Sequence, residues 1–350
     1  MTELMLDPAN ALALNIADKP QSVWQLRWQR LRRNRVAMLG AVVLLMLVLF
    51  AAGAPVYERL MGIDVNDTNL LGRFEAPTAK HLLGTDEAGR DVLVRLMYGG
   101  RISLLVGLMG ALSAAMLGTL IGLTAGYYRG RLEAVLMRIT DGVISLPLLP
   151  LLIVFAAIDL QKLGFSQEFV RSSAANFYRI VFIIALVEWT TVARLVRAST
   201  LSLMAREFVL AARTQGASAR HILWVHVLPN TTSPIIVALS LAVGQIILLE
   251  STLSFLGLGI QPPTPSWGNM LNNAQELISR APELAFYPGF LIFITVIAVN
   301  FVGDGLQDAS HFRASGKVFC ETPEQRRIIP AAGSVAFRPR SCYTATVYDA

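Results

Sequence analysis

Two glutamates, Glu188 and Glu250, lie in stretches otherwise almost free of charge. An ionised group near the centre of a bilayer costs at least about 2.5 kcal/mol, so such a residue faces a cavity, a pathway or a partner. Each of the two therefore suits either a structural polar contact or a solute path. Other chemistry is sparse. The histidines, His81, His221, His226 and His311, form no H-E-x-x-H pattern. Cys320 and Cys342 form neither a C-x-x-C pair nor a zinc pattern. Gly316 and Lys317 are followed by Val318, so they open no phosphate-binding G-x-x-x-x-G-K-S/T loop. Nor is there a G-x-S-x-G or kinase signature. The pattern offers no catalytic residues, no metal ligands and no means of hydrolysing ATP. Uphill transport would draw on a partner or an ion gradient, and no relay of acids and histidines crosses the apolar blocks. An intramembrane enzyme would need a facing nucleophile and base, and no such pair stands out.

A second feature is the basic segment from Thr200 to Asn230. It exceeds the length of a minimal helix connection, and such loops tend to be functional. Leu203 to Thr214 reads as a helix. Gly216 permits a turn that other residues resist. Ser218 to Val227 reads as a second helix, closed by Pro229. The result is a helix–turn–helix with small residues at the bend. Such a hairpin suits either a groove of another protein or packing on its own bundle.

These features sit among long apolar blocks. Of 350 residues, 54% are hydrophobic and only 15% charged, well below the quarter or so usual in soluble domains. Uncharged runs of roughly 18 or more residues read as membrane helices. Six are expected, at about 36–54, 102–126, 137–158, 177–197, 232–256 and 286–303. In the second, Gly107, Gly110, Ala114, Gly118, Gly122 and Gly126 recur at three- and four-residue steps, a pattern that lets helices approach closely. Pro147 and Pro150 interrupt the third. Residues 1–35 form an N-terminal segment. Within it, Trp24, Trp28 and Leu31 share one face of a basic helix over 22–35 that suits the lipid interface. Five arginines precede the first span, which places the N-terminus in the cytoplasm. Six crossings return the C-terminus there. Residues 1–23 lack the apolar core of a cleaved signal. The net charge of +6 sits beside the spans and forms no basic groove for nucleic acid. The tail, 309–350, is polar, aperiodic and read as disordered.

Three stretches resemble a known family. Ala211-Ala212-x-x-x-Gly216, with Leu228-Pro229 thirteen residues on, is similar to the E-A-A–G–I-x-L-P loop of permease subunits of binding-protein-dependent ABC importers. Leu210 stands at the motif's Glu and His226 at its Ile, so Glu207 is the only carboxylate one turn away. HLLGTDEAGRDVLVRLMYGGRISL (81–104) and SFLGLGIQPPTPSWGNML (254–271) resemble the dipeptide, oligopeptide and nickel subfamily, most closely its dipeptide "C"-type subunit, as does Asn300–Leu306. The resemblance covers about 22–308. It implies an all-α integral membrane fold, the six-helix type I importer core over 36–308, in a bacterial inner membrane. It implies a homologous second permease completing the pore, two ATP-binding subunits using ATP and Mg, and an external solute-binding protein. This chain itself would bind no cofactor and catalyse nothing. The hairpin 203–229 would be the coupling element, through Glu207, Ala211, Ala212, Gly216, Ala217, Leu228 and Pro229. Glu188 and Glu250 are the candidates for the solute path. Nickel or another peptide-like solute, or a secondary transporter, are the alternatives to peptides.

Overall fold

A computed structural model describes residues 23–158, 161–162, 164–272 and 278–310. Residues 1–22 and the tail beyond Ser310, where disorder was expected, lie outside the described residues. Among the described residues there are helices and one isolated β-bridge, Thr85 with Asp91, but no strand.

The helices are α1 (Val23–Arg33), α2 (Arg35–Ala52), α3 (Ala54–Met61), α4 (Val92–Tyr128), α5 (Gly130–Ser145), α6 (Leu148–Ala156), α7 (Gln167–Arg171), α8 (Ser173–Leu203), α9 (Glu207–Thr214), α10 (Ala219–His221), α11 (Leu228–Phe255) and α12 (Glu283–Ser310). Among the described residues, four helical stretches are long and apolar enough to cross a membrane, or five if the bent α5–α6 pair counts as one. The 31-residue α8 contains the expected fourth crossing.

α4 is the central rod. It packs along α8 and α11, while α12 packs on α2 and α11. Lipid gives no hydrophobic drive between helices, so close approach must come from small residues. The α4 glycines supply it. A Cβ at Gly118 would meet the Trp189 carbonyl of α8 at 2.6 Å, and one at Gly122 the Ala193 carbonyl at 2.6 Å. Gly107 faces Ile247 of α11 in the same way.

Four boundaries differ from expectation. The second crossing begins at Val92, not residue 102, because Asp91 caps α4 by accepting a bond from the Val94 N–H at 2.8 Å. The added turns carry Arg95 and Arg101, and Arg95 is buried. The stretch between the first two expected crossings contains α3. The third crossing is broken by a 91° bend between α5 and α6. Pro147 holds Leu146 in extended backbone at φ −80, ψ 141. Finally, Pro229 does not close the hairpin's second arm. The helix runs unbroken from Ala219 to Phe255, with Pro229 in the first turn of α11.

Candidate functional site

The hairpin begins where α8 ends at Leu203. α9 supplies its first arm. Gln215 ends α9, and Gly216 turns the chain with φ +81 and open space where a Cβ would lie. Glycine is required there by the backbone angle, not by crowding. Ser218 caps the second arm through its bond to the His221 N–H.

The arm then loosens. Ile222–Val227 is π-helical, and the Leu228 N–H reaches back five residues to the Leu223 carbonyl. A π-turn placed here shifts the bonding register just before Pro229, which has no N–H to give. Side chains take up nearby carbonyls: Asn230 Nδ2 donates to His226 O at 2.7 Å and Thr232 Oγ1 to Pro229 O at 2.6 Å. A proline is thus absorbed without ending the helix.

Burial divides the hairpin into root and tip. Met204, Val209, Ile222 and Val227 are buried against Leu123, Val192 and Val196, with Ala217 and Leu228 packed alongside. Arg213 of the first arm lies over the Tyr127 ring. The tip is open: Glu207, Phe208, Leu210, Ala211, Arg213, Thr214, Gln215 and Gly216 are exposed. Phe208 and Leu210 remain 44% and 47% exposed. Of the expected coupling residues, Glu207, Ala211 and Gly216 stand on the open tip, Ala212 is half-buried, and Ala217 and Leu228 belong to the root. Pro229 is exposed on the second arm. Sequence periodicity left packing and presentation as alternatives; the structure does both, with one face on the bundle and the other free.

The two glutamates part company. Glu188, on α8, is half-buried and makes no hydrogen bond among the described residues. Glu250, near the far end of α11, is fully buried. Ser254 donates to its Oε1 at 2.7 Å and Ser103 of α4 to its Oε2 at 3.2 Å. Each serine also accepts a backbone N–H: Ser254 from Ile260 at 3.0 Å, Ser103 from Trp267 at 3.2 Å. The carboxylate therefore anchors the segment 256–272 to α4 and α11 through two hydroxyl relays. A buried polar group is retained only when hydrogen-bonded in this way.

The bundle, its long apolar helices and a hairpin with a small-residue tip can now be set beside known proteins. Residues 118–316 match the family described as binding-protein-dependent transport system inner membrane component. The chain belongs to that permease family. Residues 22–72 match the N-terminal membrane domain of oligopeptide transport permease C. A dipeptide transport system permease of Alkalihalophilus pseudofirmus is 37% identical over 82% of this chain and 89% of its own length. An oligopeptide transport system permease of Bacillus subtilis is 34% identical over 87% and 95%. A glutathione transport system permease of Pectobacterium atrosepticum is 38% identical over 84% and 93%. The permease has the all-α membrane core expected of the family, and the family match runs to residue 316, past the point where the resemblance was expected to stop.

Beyond the hairpin, the permease holds buried polar contacts that charge counting missed. The loop 62–91 folds back on α4. Asp91 accepts from His81 Nδ1 across 2.9 Å, and Tyr98 donates to Glu58. Burial, and then the Asp91 charge, raise the Tyr57 pKa above that of an ordinary phenol. Gly89, at φ +71, passes so close to the Asn69 carbonyl that no side chain could fit. Trp267 is fully buried on Gly99 and Gly100, with Nε1 donating to Leu96 O at 2.9 Å. The adjacent glycines and the S-W-G triplet were the available signal for that contact.

Proposed function

We propose that this permease forms one half of the translocation pore of an ATP-driven importer of dipeptides or oligopeptides. A homologous permease would complete the pore, two ATP-binding subunits would supply ATP and Mg chemistry, and an external binding protein would deliver the solute. The observation that carries the coupling role is the hairpin's division into a packed root and an exposed tip. A tip fixed to α8 and to the continuous 219–255 helix can pass a push from a docked subunit into the bundle. ATP-dependent closure of such subunits would favour one of two bundle conformations through differential contacts. The five arginines before the first crossing put the N-terminus, the hairpin and the C-terminal end of α12 on the cytoplasmic side. The peptide class follows from the relatives, and glutathione, itself a tripeptide, falls within it.

The test is co-purification of the chain with ATP-binding subunits, paired with uptake in proteoliposomes. Gly216→Pro and Ala212→Trp should release the subunits and abolish uptake while leaving the permease inserted. Retention of both with the altered tip would remove the coupling role. ATP-independent uptake by the chain alone would replace it with secondary transport.

A further inference from the structure

The outer sides of the bundle differ in kind. On α2 the exposed side chains include Leu39, Val42, Leu45 and Leu49, as a lipid-facing surface requires. The α5–α8 side carries charge instead. Asp141 of α5 and Arg194 of α8 form an ion pair whose side chains stay 56% and 49% exposed. Arg138, one turn before Asp141, is exposed as well. On α8, Ala198, Arg194 and Thr191 are exposed and Glu188 is half-buried. Steps of three and four residues put these four on one face of the helix. The opposite face of α8 is committed to packing: Trp189 and Ala193 meet the α4 glycines Gly118 and Gly122.

Depth makes this face unusual. At 1.5 Å per residue, Arg194 lies about 14 Å and Glu188 about 22 Å along α8 from Leu203, where the hairpin begins. A hydrocarbon core is about 30 Å thick. Ionised groups at such depth face a bundle interior or a water-filled cavity, not lipid, and the interior side of α8 is already taken by α4. We propose that the α5–α8 face bearing Asp141, Arg194, Thr191 and Glu188 is this subunit's wall of a water-filled solute path. The paired charges suit a zwitterionic solute, since a wall with both signs neither repels nor traps one end of it. The proposal rests on the importer reading for the existence of a path, and on the placement of charge for its wall. Glu250, held by its serines, plays no part in it.

The transporter is tested whole, in right-side-out and inverted membrane vesicles of its host, with Cys320→Ser and Cys342→Ser as the background for single cysteines. A charged methanethiosulfonate, which stays in water, should modify Ala198→Cys and Thr191→Cys from at least one side. Leu45→Cys, about 15 Å into α2, should resist it from both. Labelling that reaches Ala198→Cys but not Thr191→Cys would mark headgroup water and overturn the path. So would labelling at neither, or labelling of Leu45→Cys at the same rate. Uptake then reads the charge of the wall. Asp141→Asn should raise the ratio of Ala-Glu to Ala-Ala uptake about threefold and Arg194→Gln should lower it about threefold, the weight of one charge at about 7 Å in water. Taking the ratio against wild type cancels what other subunits contribute to selection. An exposed pair adds little stability, so both variants should insert normally. Unchanged ratios in both variants would overturn the wall's role. No dipeptide uptake by the wild-type transporter would fail the peptide reading alone, and the labelling pattern would still decide the path.

Discussion

Ser254→Ala removes one atom from the Glu250 clamp but strips two buried groups of a partner. Ser254 Oγ donates to Glu250 Oε1 at 2.7 Å and accepts the Ile260 N–H at 3.0 Å. Leaving a buried polar group unsatisfied costs about 1–3 kcal/mol, so two at the low end give about 2 kcal/mol. That loss falls on the local opening of the segment 256–272. With about 1.4 kcal/mol per decade, the Ile260 amide should exchange with deuterium roughly 30-fold faster. Ser103→Ala does the equivalent on the other branch, where Ser103 Oγ accepts the Trp267 N–H at 3.2 Å. The two variants thus predict different amides: Ile260 speeds first in one, Trp267 in the other. The assay is hydrogen–deuterium exchange by mass spectrometry on the permease in nanodiscs, with peptides that separate the two residues. Identical exchange in wild type and both variants would refute the clamp. Equal acceleration at both amides in each variant would refute the separate relays, leaving only a shared loosening.

Other outcomes follow from the packing. Gly122→Leu should abolish a monodisperse peak in detergent chromatography, since its Cβ alone would sit 2.6 Å from the Ala193 carbonyl. Gly142→Ala, on α5 with nothing within 4 Å, should instead raise thermal stability by about 0.5–1 kcal/mol through helix propensity. Asp91→Ala should cost about 1 kcal/mol for the lost cap of α4, read as a lower midpoint of thermal unfolding. Pro229→Ala should be tolerated in folding, because the helix already continues through that position; a chain that no longer folds would contradict the absorbed-proline account.

Sequence spacing made the membrane class, the close-packing face of α4 and the hairpin legible. Those features depend on local periodicity and small side chains. Other parts depended on pairings remote in sequence. Arg95 fell outside the expected second crossing because its charge argued for water, yet it is buried beside Asp86. Glu250 looked equally suited to a path or a contact, and it is Ser103, 147 positions away, that ties it to the segment 256–272. Pro229 read as a helix end, as proline usually does; the compensating π-turn has no sequence signal of its own. The bend at Leu146–Pro147 was written plainly in the proline, but its size was not.

The unbroken helix from Ala219 to Phe255 joins two places treated separately above. Its first turns form one arm of the hairpin, and its last two turns carry Glu250 and Ser254. The 31 residue steps between Ala219 and Glu250 span about 47 Å at 1.5 Å each. Hairpin arm and clamp are therefore opposite ends of a single helix, which also contains the π-turn and Pro234. Whatever tilts the hairpin also strains the serine relays that hold the segment 256–272. The π-turn is then the joint whose stiffness sets how much of that motion arrives.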